Sequence, residues 1–152
     1  MSLFNNLYGW LLPKQAEFLN HYKGNDQQFN MARQLWNSLD QSAVFFLAIF
    51  VVLGILIAAY YYGPYNKRPG RHYKVSKWLL WLIVAAAACF VVTLGVGLLC
   101  AETKLAAKYG LVLRIAAENT IYTVGMYFIF SFIRCNIRAW KTNAYRFLKI
   151  GK

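Results

Sequence analysis

The chain has 152 residues, of which 59% are hydrophobic and 14% are charged. Water-soluble domains usually have about 45–50% apolar and about 25% charged residues, so this composition excludes an ordinary soluble domain and indicates a bilayer protein. The formal charge of +12 would suit nucleic acid, but no module that reads nucleic acid accompanies it. Most of the excess charge lies beside apolar segments, where it can bind anionic lipid head groups.

The N-terminal segment, residues 2–12, has apolar residues at spacings of one, three and four, which predicts a short amphipathic helix ended by Pro13. It is too short to cross a membrane. Two interpretations fit equally well: a helix that lies on the membrane surface, where Tyr8 and Trp10 suit the interface, or docks on a partner, and a helix that covers its own protein. Residues 14–41 are polar and nearly neutral, so they can be translocated, and they are expected to form two short helices.

Two uncharged runs, residues 42–62 and 78–100, are long enough to cross a bilayer and are predicted to be the first two spans. Gly63 and Pro64 are expected to end the first span, and Tyr60, Tyr61 and Tyr62, with Trp78 and Trp81, are expected to form an aromatic belt at the cytoplasmic interface.

Both spans carry small residues four positions apart, a spacing that lets helix backbones approach closely. These candidate packing residues are Gly54 and Ala58 in the first span and Thr93 and Gly97 in the second. The second span is therefore expected to be the packed centre of the bundle or a contact between subunits. Small residues are common in transmembrane helices generally, so the pattern alone does not identify a contact.

The third apolar segment, residues 111–133, is predicted to be a third span that carries polar residues. These candidate intramembrane residues are Arg114, Glu118, Asn119 and Thr123. Arg114 and Glu118 are four positions apart, so on a helix they share a face and can bond to each other. Ionisable residues inside a membrane segment are costly and usually face a bundle interior or a wet cavity. Two placements follow: a functional or subunit-contacting position, or a snorkelling pair at the outer head groups.

Lysine and arginine crowd two regions that contain no Asp or Glu, the loop between the first two spans and the C-terminal tail. The positive-inside rule places both regions on the cytoplasmic face, as three spans with the N-terminus outside require. These regions are the candidate sites for a protein partner or for anionic head groups. Their candidate residues are Lys67, Arg68, Arg71, His72, Lys74 and Lys77 in the loop and Arg134, Arg138, Lys141 and Arg146 in the tail.

The predicted fold class is an all-α integral membrane protein. It comprises an N-terminal interfacial or extracytoplasmic region (residues 1–41), a domain of three transmembrane helices (42–134) and a basic cytoplasmic tail (135–152). A bacterial inner membrane fits such a chain. The sequence has no catalytic, cofactor-binding or metal-binding motif, and its three cysteines have no disulfide or zinc spacing. We therefore expect no enzymatic activity, no cofactor and no metal.

The expected function is that of a non-enzymatic membrane subunit that oligomerises, or that anchors and scaffolds a larger assembly through its basic loop and tail. The alternative is an oligomeric pore with the polar residues of the third span facing the lumen. Both need partners, because three helices have little interior of their own. The expected partners are anionic membrane lipids and a second copy or another protein of a membrane complex, and nucleic acid is not among them.

Overall fold

The structure, a computed structural model, describes residues 3–67, 75–101 and 103–136. Helices make up 85% of these residues and no strand occurs among them, so the all-α prediction is confirmed for this part of the chain. The helices are α1 (Leu3–Tyr8), α2 (Gln15–Asn20), α3 (Asp26–Gln41), α4 (Ala43–Tyr60), a π-helical turn (Tyr61–Tyr65), α5 (Val75–Cys100) and α6 (Ala107–Asn136).

The chain divides into two compact units. The first unit consists of Met1–Ile49 and Phe90–Asn119, and the second consists of Phe50–Cys89 and Thr120–Lys152. Each unit therefore contains a part of α4, of α5 and of α6, together with its own buried residues.

The N-terminal helices of the first unit are held by α3. Asn25 caps α3, because its side-chain oxygen accepts hydrogen bonds from the backbone N–H groups of Gln27 and Gln28 at 3.1 and 3.2 Å. Helices α1 and α2 both pack on α3. The ring of Trp36 contacts both helices. Its centroid lies 5.6 Å from that of Phe4 in α1 and 5.6 Å from that of Phe18 in α2. Burial of these aromatic rings contributes to the attraction between the three helices.

Residues 3–12 lie against their own chain. Phe4 and Tyr8 are each 1% exposed, whereas Trp10, on the opposite side of the segment, is 70% exposed. Tyr8, which one of the two interpretations places at the membrane interface, is thus a core residue. The alternation follows helical spacing, since positions 4 and 8 lie on one face.

The polar helix α3 leads directly into the apolar helix α4, with only Ser42 between them. The Ser42 hydroxyl donates a hydrogen bond of 2.9 Å to the backbone carbonyl of Ser38, and the Phe46 N–H donates to the Ser42 carbonyl at 3.1 Å. The backbone thus stays hydrogen-bonded through the point where the composition changes from polar to apolar.

The predicted end of the first span was wrong at Gly63 and Pro64. Both residues lie inside the π-helical turn, which continues the helix to Tyr65. Proline removes a backbone donor and crowds the preceding turn, and the wider π-helical geometry accommodates it. The side-chain amide of Asn66 donates to the carbonyl of Tyr61, and the Lys67 N–H donates to the Gly63 carbonyl at 3.1 Å, so the turn ends with bonded carbonyls.

Two helical stretches are long and apolar enough to cross a membrane, Ala43–Tyr65 and Val75–Cys100. In the most apolar part of each, only 28% and 22% of the residues are buried inside the chain. The core helix of a water-soluble protein would be mostly buried, so these exposed apolar faces are consistent with a membrane location. Helix α6 also forms where the third span is expected, but its polar residues keep it out of this class, and the third span stays a prediction.

Candidate functional site

Asn119 lies in α6 and is fully buried. Its side-chain amide connects four helices of the first unit. The amide oxygen accepts a hydrogen bond of 2.7 Å from the hydroxyl of Tyr8 in α1. The amide nitrogen donates to the backbone carbonyl of Phe46 in α4 and to the hydroxyl oxygen of Thr93 in α5, each at 3.1 Å. An asparagine amide has two N–H donors, so both are used. We call Tyr8, Phe46, Thr93 and Asn119 the Asn119 node.

Aromatic rings pack against the Tyr8 side of the Asn119 node. The ring of Tyr8 lies 5.1 Å from that of Phe4 and meets the ring of Phe46 edge-on at 6.2 Å. A buried polar group left without a hydrogen bond costs about 1–3 kcal/mol, so sliding any one helix along its axis is penalised. The node therefore fixes the relative register of α1, α4, α5 and α6 within the first unit.

Four polar residues of α6 were predicted to lie in the membrane, and their side chains do not share one environment. Glu118 and Asn119 in the first unit and Thr123 in the second are fully buried, whereas Arg114 is exposed. The guanidinium of Arg114 donates a long hydrogen bond of 3.4 Å to the backbone carbonyl of Leu11. Arg114 and Glu118 were expected to share a face of α6, but the cation is exposed and the carboxyl is buried. The N-terminal segment docks against this part of α6.

The small residues of the spans lie where helices approach closely. A Cβ on Gly97 would lie 2.6 Å from Cγ1 of Val112, so α5 and α6 leave no room for a side chain there. In the second unit, a Cβ on Gly54 would lie 2.8 Å from Cβ of Met126. The remaining two candidate packing residues, Ala58 and Thr93, are fully buried.

The predicted aromatic belt is largely a core. Tyr61 and Tyr62 are fully buried and Trp78 is 2% exposed, whereas belt residues would lie at the surface. The indole N–H of Trp78 donates to the hydroxyl of Ser131 at 3.1 Å, and the hydroxyl of Tyr127 donates to the Trp78 carbonyl at 3.4 Å. The π-helical turn folds the tyrosines onto the start of α5, which sequence spacing alone does not reveal. This aromatic core belongs to the second unit.

A cleft of about 370 Å³ opens in the first unit between α1, α2 and α3. Its lining has two parts. Buried side chains come from Phe4, Tyr8, Leu12 and Trp36, and more exposed residues come from Asn5, Gly9, Pro13, Lys14 and Gln15. No sequence motif predicts this cleft, because it forms only when α1 packs on α3.

Most of the candidate basic residues lie outside the described residues. These are Arg68, Arg71, His72 and Lys74 of the loop and Arg138, Lys141 and Arg146 of the tail. Lys67 and Lys77, at the two edges of the loop, are exposed. Arg134 is half-buried, with its guanidinium 5.2 Å from the ring centroid of Phe130, a geometry typical of a cation–π contact.

No family model, curated protein or solved structure matches this chain. Across residues 3–67, 75–101 and 103–136, no group of three or more His, Cys, Asp or Glu side chains is placed to hold a metal ion. The function is therefore argued from the Asn119 node, the apolar faces and the charges.

Proposed function

We propose that this chain is a non-enzymatic integral membrane subunit with three spans that anchors a larger assembly at its cytoplasmic face. The Asn119 node carries the proposal. Polar side chains inside a membrane are stable when they bond to neighbouring helices, and Asn119 bonds to three of them. The polar residues that lower the apolarity of α6 are thus largely hidden, which supports its placement as the third span.

The surface of α4 and α5 supports the membrane location. Large apolar side chains such as Leu56, Ile83 and Val91 are 58%, 64% and 67% exposed. Leaving a fully exposed leucine or isoleucine in water rather than burying it costs about 1.5–3 kcal/mol, and lipid removes that cost. Three spans also bring the basic loop and the basic tail to the same side of the membrane, in agreement with the positive-inside rule.

The docking surface of this proposal is the basic loop with its exposed edges, Lys67 and Lys77. A surface with lysine and arginine and no acidic residue attracts an acidic protein surface, and it raises the association rate through electrostatic steering. We therefore propose a cytoplasmic partner with an acidic face, held next to the membrane by this chain.

The test is charge reversal at the two exposed edges of the loop. Lys67→Glu with Lys77→Glu is compared with Lys23→Glu combined with Lys104→Glu, which makes the same change in net charge at exposed positions of the first unit. Both variants are purified in mild detergent, and co-purifying proteins are quantified by mass spectrometry. We expect the first variant to recover at least about tenfold less of the partner, equivalent to about 1.4 kcal/mol, and the second to recover it normally.

Two results would contradict the docking surface: equal recovery in both variants, or equal loss in both. The membrane fraction of each variant is measured in parallel, because loss of insertion would mimic loss of the partner.

An oligomeric pore is the second candidate, favoured by the polar residues that α6 carries at the depth of a membrane. The intrachain bonds of Asn119 weigh against it, because an amide engaged by three helices of its own chain is withdrawn from a lumen. Wild-type protein that conducts ions in proteoliposomes, with a conductance altered by Glu118→Gln, would replace the scaffold proposal with the pore.

A further inference from the structure

The cleft of the first unit combines an apolar floor with a cationic mouth. Its floor is made by Phe4, Tyr8, Leu12 and Trp36, of which the most exposed, Leu12, is 7% exposed. Its mouth includes Lys14, whose side chain is exposed. A cavity of about 370 Å³ is at the small end of the range of small-molecule sites, about 300–1,000 Å³, and is too small for a folded partner.

The charges near the mouth favour an anionic ligand. The guanidinium of Arg114 donates to the backbone carbonyl of Leu11, which precedes the floor residue Leu12, but Arg114 does not line the cleft. Glu17 is the neighbouring carboxylate, and it accepts a hydrogen bond of 3.4 Å from the backbone N–H of Lys14. Among the residues that line the cleft, Lys14 is charged and no carboxylate occurs, so the charge at the mouth is positive.

The N-terminal segment has exposed apolar side chains, which suit a membrane interface, beside the exposed polar residues Asn5 and Asn6. Trp10 is 70% exposed, Leu3 45% and Leu11 36%. Tryptophan is enriched at the boundary between head groups and acyl chains. A cleft beside these residues has phospholipid as its most abundant neighbour when the chain is in a membrane.

We propose that the cleft binds an anionic phospholipid, with one acyl chain on the aromatic floor and the phosphate at Lys14. The inference rests on the proposed membrane location and is independent of the docking surface on the basic loop. Tyr8 both lines the cleft and donates to Asn119, so a bound acyl chain packs against the Asn119 node and holds α1 in its docked position. Bound lipid therefore stabilises the folded chain through mass action.

The experiment measures lipid adducts of the detergent-purified full chain by native mass spectrometry. The probes are palmitoyl lysophosphatidylglycerol, its zwitterionic choline counterpart, and glycerophosphoglycerol, which is the head group without a chain. Gln15→Trp fills the cleft from its rim, and Lys14→Glu reverses the charge at its mouth. The matched controls are Asn30→Trp and Lys23→Glu, at exposed positions that do not line the cleft.

We expect Gln15→Trp to weaken both lysophospholipids by at least about tenfold, and Lys14→Glu to weaken the anionic one by about three- to tenfold, with a smaller effect on the zwitterionic one. The controls should bind as the wild type does, and the head group alone should not bind. Equal binding by all variants, or binding of glycerophosphoglycerol as tight as that of the lysophospholipid, would overturn the proposal.

A second measurement uses the wild-type protein, so it does not depend on the folding of a variant. A lysophosphatidylglycerol with a photoreactive diazirine on its acyl chain is crosslinked in the detergent-purified chain, and the labelled peptides are sequenced. We expect crosslinks on residues 4–12 and on Trp36. Crosslinks spread evenly over α4 and α5, with none on these residues, would show that lipid only coats the apolar faces.

Discussion

The hydroxyl of Tyr8 donates a hydrogen bond of 2.7 Å to the side-chain oxygen of Asn119, 111 positions later in the chain. The bond joins a helix of six residues to one of 30 residues inside the first unit. The rings of Phe4 and Phe46 are neighbours of the Tyr8 ring, and both Tyr8 and Asn119 are buried. Such a contact is satisfied in one register only, so it selects the docked position of α1 as well as stabilising it.

Tyr8→Phe removes this hydrogen bond and keeps the aromatic packing. We expect the free energy of unfolding to fall by about 1–2 kcal/mol, because the buried hydrogen bond that Tyr8 donates to Asn119 is lost. Unfolding by a denaturing detergent, followed by circular dichroism, measures the change. The matched control is Tyr109→Phe, since Tyr109 is 61% exposed and its ring is kept. Equal stability of the two variants would mean that the Tyr8 bond contributes nothing.

A double-mutant cycle between Tyr8 and Asn119 isolates their interaction. Asn119→Leu removes the amide, so Tyr8→Phe added to it should cost about 1 kcal/mol less than Tyr8→Phe alone. The same cycle with Tyr109→Phe in place of Tyr8→Phe should be additive. Additivity in both cycles would show that the two side chains are not coupled in solution, whatever their separation.

Sequence patterns predicted the helices whose residues are almost all apolar. Long uncharged runs predict α4 and α5, because a long apolar segment satisfies its backbone hydrogen bonds best as a helix. Gly97, one of the small residues spaced four apart, lies where a Cβ would be 2.6 Å from Val112, and a missing side chain is what close approach requires.

Contacts between distant parts of the chain could not be predicted in the same way. The polarity of Asn119 was visible, but its partners Tyr8 and Thr93 lie on other helices, and no local spacing relates them. The π-helical turn is a second case: Gly63 and Pro64 are usual helix terminators, and only tertiary packing of the tyrosines on Trp78 carries the helix past them. The cleft is a third, because neither α1 nor α3 has a concave surface of its own.

Gly97→Ala tests the close approach of α5 and α6 in the first unit. The added methyl would lie 2.6 Å from a methyl group of Val112, which is fully buried and cannot move aside freely. We expect a loss of about 1–3 kcal/mol in unfolding free energy. Gly95→Ala, two residues earlier on the same helix, has nothing within 4 Å of the new methyl and should leave stability unchanged or raise it.

A compensating substitution sharpens the Gly97 experiment. Val112→Ala removes the methyl groups that the new side chain meets, so the double variant should be more stable than the sum of the two single effects implies. Strict additivity, or equal stability of the variants at positions 95 and 97, would contradict the close contact between Gly97 and Val112.

The topology predicts which positions a membrane-impermeant maleimide reaches in intact cells. Single cysteines replace Lys23, Lys77 and the C-terminal Lys152 in a background with Cys89→Ala, Cys100→Ser and Cys135→Ser. Position 23 should react from outside, whereas positions 77 and 152 should react only after permeabilisation, because basic segments resist translocation.

Reaction at 152 but not at 77 in intact cells would mean that α6 does not cross the membrane, and the hydrogen bonds of Asn119 would then stabilise a helix lying on the outer side. Reaction at 77 in intact cells would reverse the orientation of the first two spans and remove the basic loop from the cytoplasm, and the proposed docking surface with it.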